Sequence, residues 1–410
     1  MAIKVGSFAV STGVAGTQVS ITDVGFKPSL VLFWPVNTIG DAIAANNHSG
    51  GFGMAVSASD RRCVSGYQAN GAGISQTSSA HDDTCAFKLM DGVGTTDGRA
   101  DLVSMDATGF TYEIDEAFTS AWRIFYMAIS NLTNVKGGVL TESAAGTQAT
   151  TGLGFKPNGI IFASASISAA PPGTRNDFTQ MVGFTSGATA ARNAVVTAHD
   201  QHNQNTTVTR SYGFKGECVG LMQSNGDISG RALLSSFDTD GFTLNWLEGN
   251  SGAESNRRVL YVAFVANNVF VDSFQSQTNT TPFSETGVGF VPQGLLTLSH
   301  LHVTSTQDSV QTDQEISIGG ASGALERGSV GSRSDNGSGT SDVATFSSDD
   351  AIYGNVNVSG AAAYEGQMDL VSFDGDGFTV VMDDADPSQT EVFYMAIQTG
   401  AAGNQIIWFI

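Results

Sequence analysis

Three short sequence signatures recur in the same order along this 410-residue chain, and they restrict its fold more than any bulk property does. The first reads VGFKP at 24–28, LGFKP at 153–157 and VGFVP at 288–292. The second reads LVSMDATGFT at 102–111, LSSFDTDGFT at 234–243 and LVSFDGDGFT at 370–379. The third is FYMAI at 125–129, LYVAF at 260–264 and FYMAI again at 393–397. Gly25 and Gly154 are 129 residues apart (25 to 154), and Gly154 and Gly289 are 135 apart (154 to 289). From first to second signature the intervals are 84 (25 to 109), 87 (154 to 241) and 88 (289 to 377). Ordered signatures at such even intervals are tandem copies, and a period of this size predicts three modules. Their boundaries fall at 1–132, 133–267 and 268–400, with an apolar tail at 401–410. The joints are too short to act as loose linkers, which predicts close packing between modules.

The signatures predict strands and turns. Gly25, Phe26 and Pro28, with Gly154, Phe155 and Pro157 and Gly289, Phe290 and Pro292, lead into apolar runs at 31–34, 160–163 and 295–298. Short apolar runs bounded by turn residues read as buried strands. Asp106 and Gly109, Asp238 and Gly241, and Asp374 and Gly377 supply turn chemistry: Asp caps local amides, and Gly tolerates positive φ. After each turn Phe110, Phe242 or Phe378 begins a two-residue alternation, as in Phe242, Leu244 and Trp246, the pattern of a half-buried strand. Tyr126, Tyr261 and Tyr394 mark a central strand that closes each module.

Little of the chain has a helical period. The expected fold is therefore all-β: three tandem β-sandwich, jelly-roll-like modules of about seven to nine strands, with few short helices. Charged residues make up only 14% of the chain, while 49 glycines punctuate it, which suits short strands and many turns. The glycine- and serine-rich stretch 319–342 reads as a long loop or arm of the third module.

The charge balance bears on partners. With 39 acidic against 18 basic residues, net −21, the chain lacks the cations that displace phosphate counterions, so nucleic acid is not expected. Anionic lipid is disfavoured for the same reason. No run approaches the roughly 20 apolar residues of a membrane helix, and the MAIKVGSFAV start lacks a signal-peptide core. Folding in a cytoplasm is expected. The three cysteines cannot complete a disulfide framework; Cys63 and Cys85 could pair within the first copy, but all three are expected to be reduced and buried.

Candidate chemistry is sparse. Asp238-x-Asp240-Gly and Asp374-x-Asp376-Gly resemble the opening of a calcium loop, yet the twelfth position is Gly249 or Ala385 rather than a carboxylate. Thr108 replaces the second Asp in the first copy, so these are expected to be hairpin turns and no metal or cofactor is expected. His199 with His202, and His300 with His302, could offer paired imidazoles, but no zinc-type ligand set accompanies them and exposed strand positions are expected. His48 and His81 complete the six. No nucleophile elbow, phosphate loop or zinc-protease motif is present, and no catalytic residue is assigned. Arg99 and Arg231 occupy equivalent places with Gln367 as the third, and could form a shared salt link or an interface; Arg61, Arg62, Arg192 and Arg327 share another region, and surface roles are expected. Ile406, Ile407, Trp408, Phe409 and Ile410 form a terminus too apolar to sit in water, either completing its own sheet or binding a partner.

The order GFKP, apolar strand, DxDGFT and FYMAI-like strand resembles repeats of bacteriophage virion and tail-region structural proteins, over all three modules. The resemblance implies a β-rich particle component without enzymatic activity, located in the virion. Its partners would be other virion proteins, such as the major capsid or a tail protein, and copies of itself. A capsid decoration (cement) protein, or another head or tail component built as a pseudo-trimer, is the expected function. The alternative is a tail-associated adhesin that binds a receptor or a host surface glycan, with Trp34, Trp122 and Trp246 as possible platforms, though their apolar context suits a core.

Overall fold

The computed structural model describes residues 2–250, 254–300, 310–358 and 362–400. The tail residues Ile406–Ile410 and His302 lie outside them. Among the described residues the chain is almost entirely antiparallel β-structure, with one 3-10 turn at Ala190–Arg192. In the first module the strands are Ile3–Ala9 (β1), Gln18–Ile21 (β2), Leu30–Val36 (β3), Ala42–Ala45 (β4), His48–Ser57 (β5) and Asp60–Gln68 (β6). Thr77–Asp82 (β7), Phe87–Gly92 (β8), Thr95–Asp106 (β9), Gly109–Glu116 (β10) and Arg123–Ile129 (β11) follow.

β1, β11, β3, β5, β6 and β7 lie side by side in a large sheet, and β2, β10, β9 and β8 form a four-stranded sheet. The other two modules repeat both orders. Phe33, Phe87, Leu102, Phe110, Tyr112 and Tyr126 fill the space between the two sheets of the first module. Each module is thus a sandwich with its own core.

The large sheets are buried on both faces, which is why β3 (LVLFWPV) reads as one continuous apolar run. In β11, Tyr126 and Ala128 face the sandwich interior. Phe125, Met127 and Ile129 face the other way, into a second core shared with Leu260, Val262 and Phe264 of the second module and Phe393, Met395 and Ile397 of the third.

The seventh strand of each large sheet comes from another module. Gly173–Arg175 of the second module pairs with β7 of the first, in register Gly173 to His81. Gln311–Thr312 of the third pairs with Thr209–Lys215 of the second. β4 of the first pairs with Val343–Ser348 of the third, in register Ile43 to Phe346. The donations run in a circle and leave no module without a guest strand. This exchange was not expected from the sequence.

The segment 319–342 is a loop only over 335–342, and its first part differs from that expectation. Gln314–Gly323 and Glu326–Ser334 are paired strands of the large sheet. Small residues stand there because neighbours press close. A Cβ on Gly319 would lie 2.1 Å from the Ile352 carbonyl oxygen, and one on Gly328 would lie 2.2 Å from the Phe125 ring of the first module. The low side-chain volume that resembled a flexible arm is a packing requirement.

Candidate functional site

The repeat signatures meet one another inside each module. Gly25, Gly154 and Gly289 adopt φ of 81°, 83° and 85°, the left-handed conformation that favours glycine. The amides of Gly152 and Gly154 donate to Asp240, and those of Gly287 and Gly289 to Asp376. In the first module, where Thr108 stands in that place, its backbone carbonyl accepts from Gly25 instead. The second signature therefore caps the first. Pro28, Pro157 and Pro292 each precede a residue whose amide bonds the closing strand: Ser29 to Ile129, Asn158 to Phe264 and Gln293 to Ile397.

Asp106, Asp238 and Asp374 each accept two hydroxyls, from Ser104 and Thr111, Ser236 and Thr243, and Ser372 and Thr379, at 2.6–2.8 Å. These bonds to the charged form hold the Asp106 and Asp238 carboxyls below the usual range. Gly109, Gly241 and Gly377 are needed mainly for space, since a Cβ there would approach the carbonyl oxygens of Ile21, Thr150 and Glu285 to within 2.0 Å. Phe110, Phe242 and Phe378 meet Tyr126, Tyr261 and Tyr394 edge to face, with centroids 5.4, 5.2 and 5.0 Å apart. Phe26, Phe155 and Phe290 pack against the same three sandwich cores.

The sites of interaction between modules lie elsewhere and recur at every junction. Asp60, at the tip of the β5–β6 hairpin, accepts from the Gly137 amide of the second module at 2.9 Å and pairs with Arg62. Arg192, in the corresponding hairpin of the second module, bonds the Val271 carbonyl and Asp272 of the third and covers the Phe270 ring at 3.7 Å. Glu326, in the hairpin of the third module, takes Lys4 of the first at 2.6 Å. Three loops interlock in the same cyclic sense, through Ser75 with Asn203 and Gln204, Thr207 with Gly337 and Ser338, and Ser341 with Gly71 and Ala72.

At the centre of the seam, Gln68, Asp200 and Ser334 end corresponding strands, and all are fully buried. Gln68 Nε2 donates to Asp200 Oδ2 at 2.9 Å and to Gln314 Oε1 at 3.0 Å, and Ser334 Oγ lies 3.2 Å from Asp200 Oδ2. Asp200 Oδ1 has no hydrogen-bond partner. Burial is the main reason that its carboxyl is pushed up to about 7, with Asp177 adding repulsion.

The histidines expected at exposed positions are mostly interior. His199 and His300 are fully buried, as are His48 and His81. His199 Nδ1 lies 3.0 Å from Thr179 Oγ1, and His48 Nδ1 lies 3.0 Å from Thr345 Oγ1 across the junction between first and third modules. Burial lowers the His48, His81 and His199 imidazoles to about 3, 4 and 4, so they pack as neutral rings. His202 is half-buried, and its Nδ1 accepts from the Thr77 amide.

The arginines expected on the surface are also structural. Arg231 chelates the buried Glu217 at 2.6 Å, and Arg327 holds Asp369. Arg61 pairs with Asp101, and Arg99 lies 3.7 Å from the buried Asp82. Gln367 donates to Ser348 Oγ.

An acidic cleft of about 650 Å³ opens beside β4, lined in part by Asp41, Arg327, Asp350, Asp369 and Asp383. Burial raises Asp369 to about 6 despite Arg327. Carboxylate oxygens of Asp41, Asp349 and Asp350 lie within 4.8 Å of one another, and Arg123 bridges Asp41 to Asp349.

Sequence reasoning found the signature residues but missed the seam. Its polar groups differ from module to module, so no repeat marks them. Of the seam's glycines, Gly328 against Phe125 lay in the glycine- and serine-rich stretch 319–342, whereas Gly66 against Phe178 carried no signal. Among the described residues, no helix is long and apolar enough to cross a membrane.

No protein-family description matches the chain, and no curated protein matches it. Among solved structures, a β-fructofuranosidase from Schwanniomyces occidentalis aligns over 97% of this chain and 98% of its own, at 9% identity and a TM-score of 0.14. A β-fructofuranosidase from Bombyx mori aligns over 94% and 92%, at 8% identity and 0.15. Salmonella typhi OmpF aligns over 92% and 100%, at 10% identity and 0.11. Scores this low do not indicate a shared fold, and no activity or substrate carries over from them.

Proposed function

We propose that this chain is a non-enzymatic structural protein of a bacteriophage virion, a capsid decoration (cement) protein or a related head or tail component. The circular strand donation carries this reading: one polypeptide has the connectivity of a three-subunit ring. Such a body suits a threefold or quasi-threefold position on a particle. The major capsid or a tail protein would be its partner, and further copies could adjoin it. A net charge of −21 favours docking on a basic particle surface. The adhesin reading loses two of its candidate platforms, because Trp34 and Trp246 are 0% and 1% exposed and offer no face for a sugar ring.

The test is to mix purified protein with undecorated capsids and with isolated tails, and in parallel with glycan arrays and host cells. Saturable binding to particles, with one chain over each threefold or quasi-threefold position, is expected. Failure to bind any particle, together with saturable binding to host polysaccharide, overturns the proposal.

A further inference from the structure

Two thiols in the first module lie closer than packing alone requires. Cys63 on β6 and Cys85 in the β7–β8 crossover have their Sγ atoms 3.4 Å apart, and both are buried, at 1% and 0% exposure. The approach follows from a glycine. Gly53, the partner of Cys63 in the sheet, has no side chain, and a Cβ there would lie 2.0 Å from the Ala86 carbonyl oxygen. The crossover therefore descends onto the sheet and delivers Cys85 beside Cys63.

The same descent occurs at Gly183 over Cys218 and at Gly319 over Ile352, with clearances of 2.2 and 2.1 Å. The residues placed like Cys63 are Val195 and Ser329, and those placed like Cys85 are Glu217 and Ala351. All three modules share the close crossover, but only the first puts sulfur on both sides of it. Cys218 sits one position along, buried, with its Sγ directed to the Ala232 carbonyl.

We propose that Cys63 and Cys85 are a latent disulfide site, closed by thiol–disulfide exchange with a small-molecule disulfide. One cysteine thiolate attacks a sulfur of the reagent, forms a mixed disulfide and expels one small thiolate. The second cysteine thiolate attacks the protein-bound sulfur and expels the other. The two protons from the cysteines end on the two released thiols, so the protein loses two protons and two electrons and one reagent disulfide is reduced. A disulfide brings its sulfurs to about 2.05 Å, so the pair has about 1.4 Å left to close.

The contact with Cys63, and then burial, push the Cys85 thiol well above its ordinary range, which disfavours the attacking thiolate. Exchange then waits on local opening, and the site acts as a slow lock rather than a fast sensor. The lock encloses β7, the strand that receives Gly173–Arg175 from the second module. Closing it would fasten the junction between the first two modules as well as the sandwich.

The experiment treats the full-length protein with oxidised glutathione at mildly alkaline pH, quenches with an alkylating reagent, and reads intact mass and peptide maps. The expected product has lost two hydrogens, carries a Cys63–Cys85 cross-linked peptide, and has one alkylated cysteine, Cys218. Its thermal midpoint should rise by several degrees and return on reduction. Cys63→Ala and Cys85→Ala should each give a glutathione adduct or no oxidation, with no rise in midpoint. The wild-type measurement decides the matter if either variant fails to fold. Three alkylated cysteines after a treatment that oxidises a denatured control would overturn the proposal, as would a cross-link through Cys218.

Discussion

Two kinds of core hold this molecule together, and they have diverged differently. The three private cores, inside the sandwiches, hold the signature aromatics Phe26, Phe110 and Tyr126 in the first and their counterparts in the others, while Phe125, Phe264 and Phe393 of the third signature point into the shared core. The shared core, where the large sheets face one another, draws on corresponding positions of all three modules, but away from the closing strands their residues vary, as in Phe52 and Met54, Val182 and Phe184, and Ile316 and Ile318. At its polar end a glutamine, an aspartate and a serine occupy corresponding strand ends. A private core must satisfy the same geometry three times, so its residues repeat. The seam is a single site built from three different walls, and each wall can change if the others compensate.

The largest expected effect tests whether the shared core couples the modules. Phe125→Ala removes a ring that stacks on Trp34 and fills the space left by Gly328 of the third module. A loss of about 3–5 kcal/mol is expected. Denaturant unfolding should show all three modules weakened together. If only the first module's transition moved, the shared core would not be a common one.

Asp200→Asn probes the polar end of the seam. The folded carboxyl titrates at about 7, against roughly 3.9 in an unfolded chain. A folded value above the unfolded one gives stability that is full below the unfolded value and is lost as pH rises through the folded value. Wild type should therefore lose stability relative to Asp200→Asn between about pH 4 and pH 7, by at most about 4 kcal/mol. Chemical denaturation of both proteins at pH 4, 6 and 8 measures this, and parallel curves would contradict it.

Gly319→Ala should cost about 1–3 kcal/mol, because the added methyl meets the Ile352 carbonyl. Gly53→Ala and Gly183→Ala should behave alike, since all three glycines lie under equivalent crossovers; calorimetric midpoints would show whether they do. The smallest effect concerns a private turn. Thr379→Val removes the 2.7 Å bond to Asp374 and should cost about 1 kcal/mol. A larger loss, seen by equilibrium unfolding, would mean that the turn also supports the seam.

The modules and their turns could be read from the sequence because local rules produce them. A Gly with positive φ, an Asp that caps amides and a two-residue alternation each leave a mark within ten residues. The strand exchange leaves no such mark. AIAA, GTR and QT share no sequence, since a guest strand is held mainly by backbone bonds to a host from another module. The part of the segment that precedes 335 was misread because glycine signals both looseness and close approach, and at Gly328 only the Phe125 ring from a distant part of the chain distinguishes them. His199 and His300 were placed outside because imidazole is polar, yet His199 has both ring nitrogens partnered, by Thr179 and the Ser224 carbonyl, and His300 stacks on Phe393, so both rings pack in an interior.

The circular donation of strands has a consequence for assembly at low concentration. A ring of three separate subunits falls apart on dilution, because its closure depends on how often the subunits meet. Here the three parts are tethered, and each guest strand meets its host at the high effective concentration of a short linker. Closure is then independent of how much protein is present. The first copy made can form a complete ring.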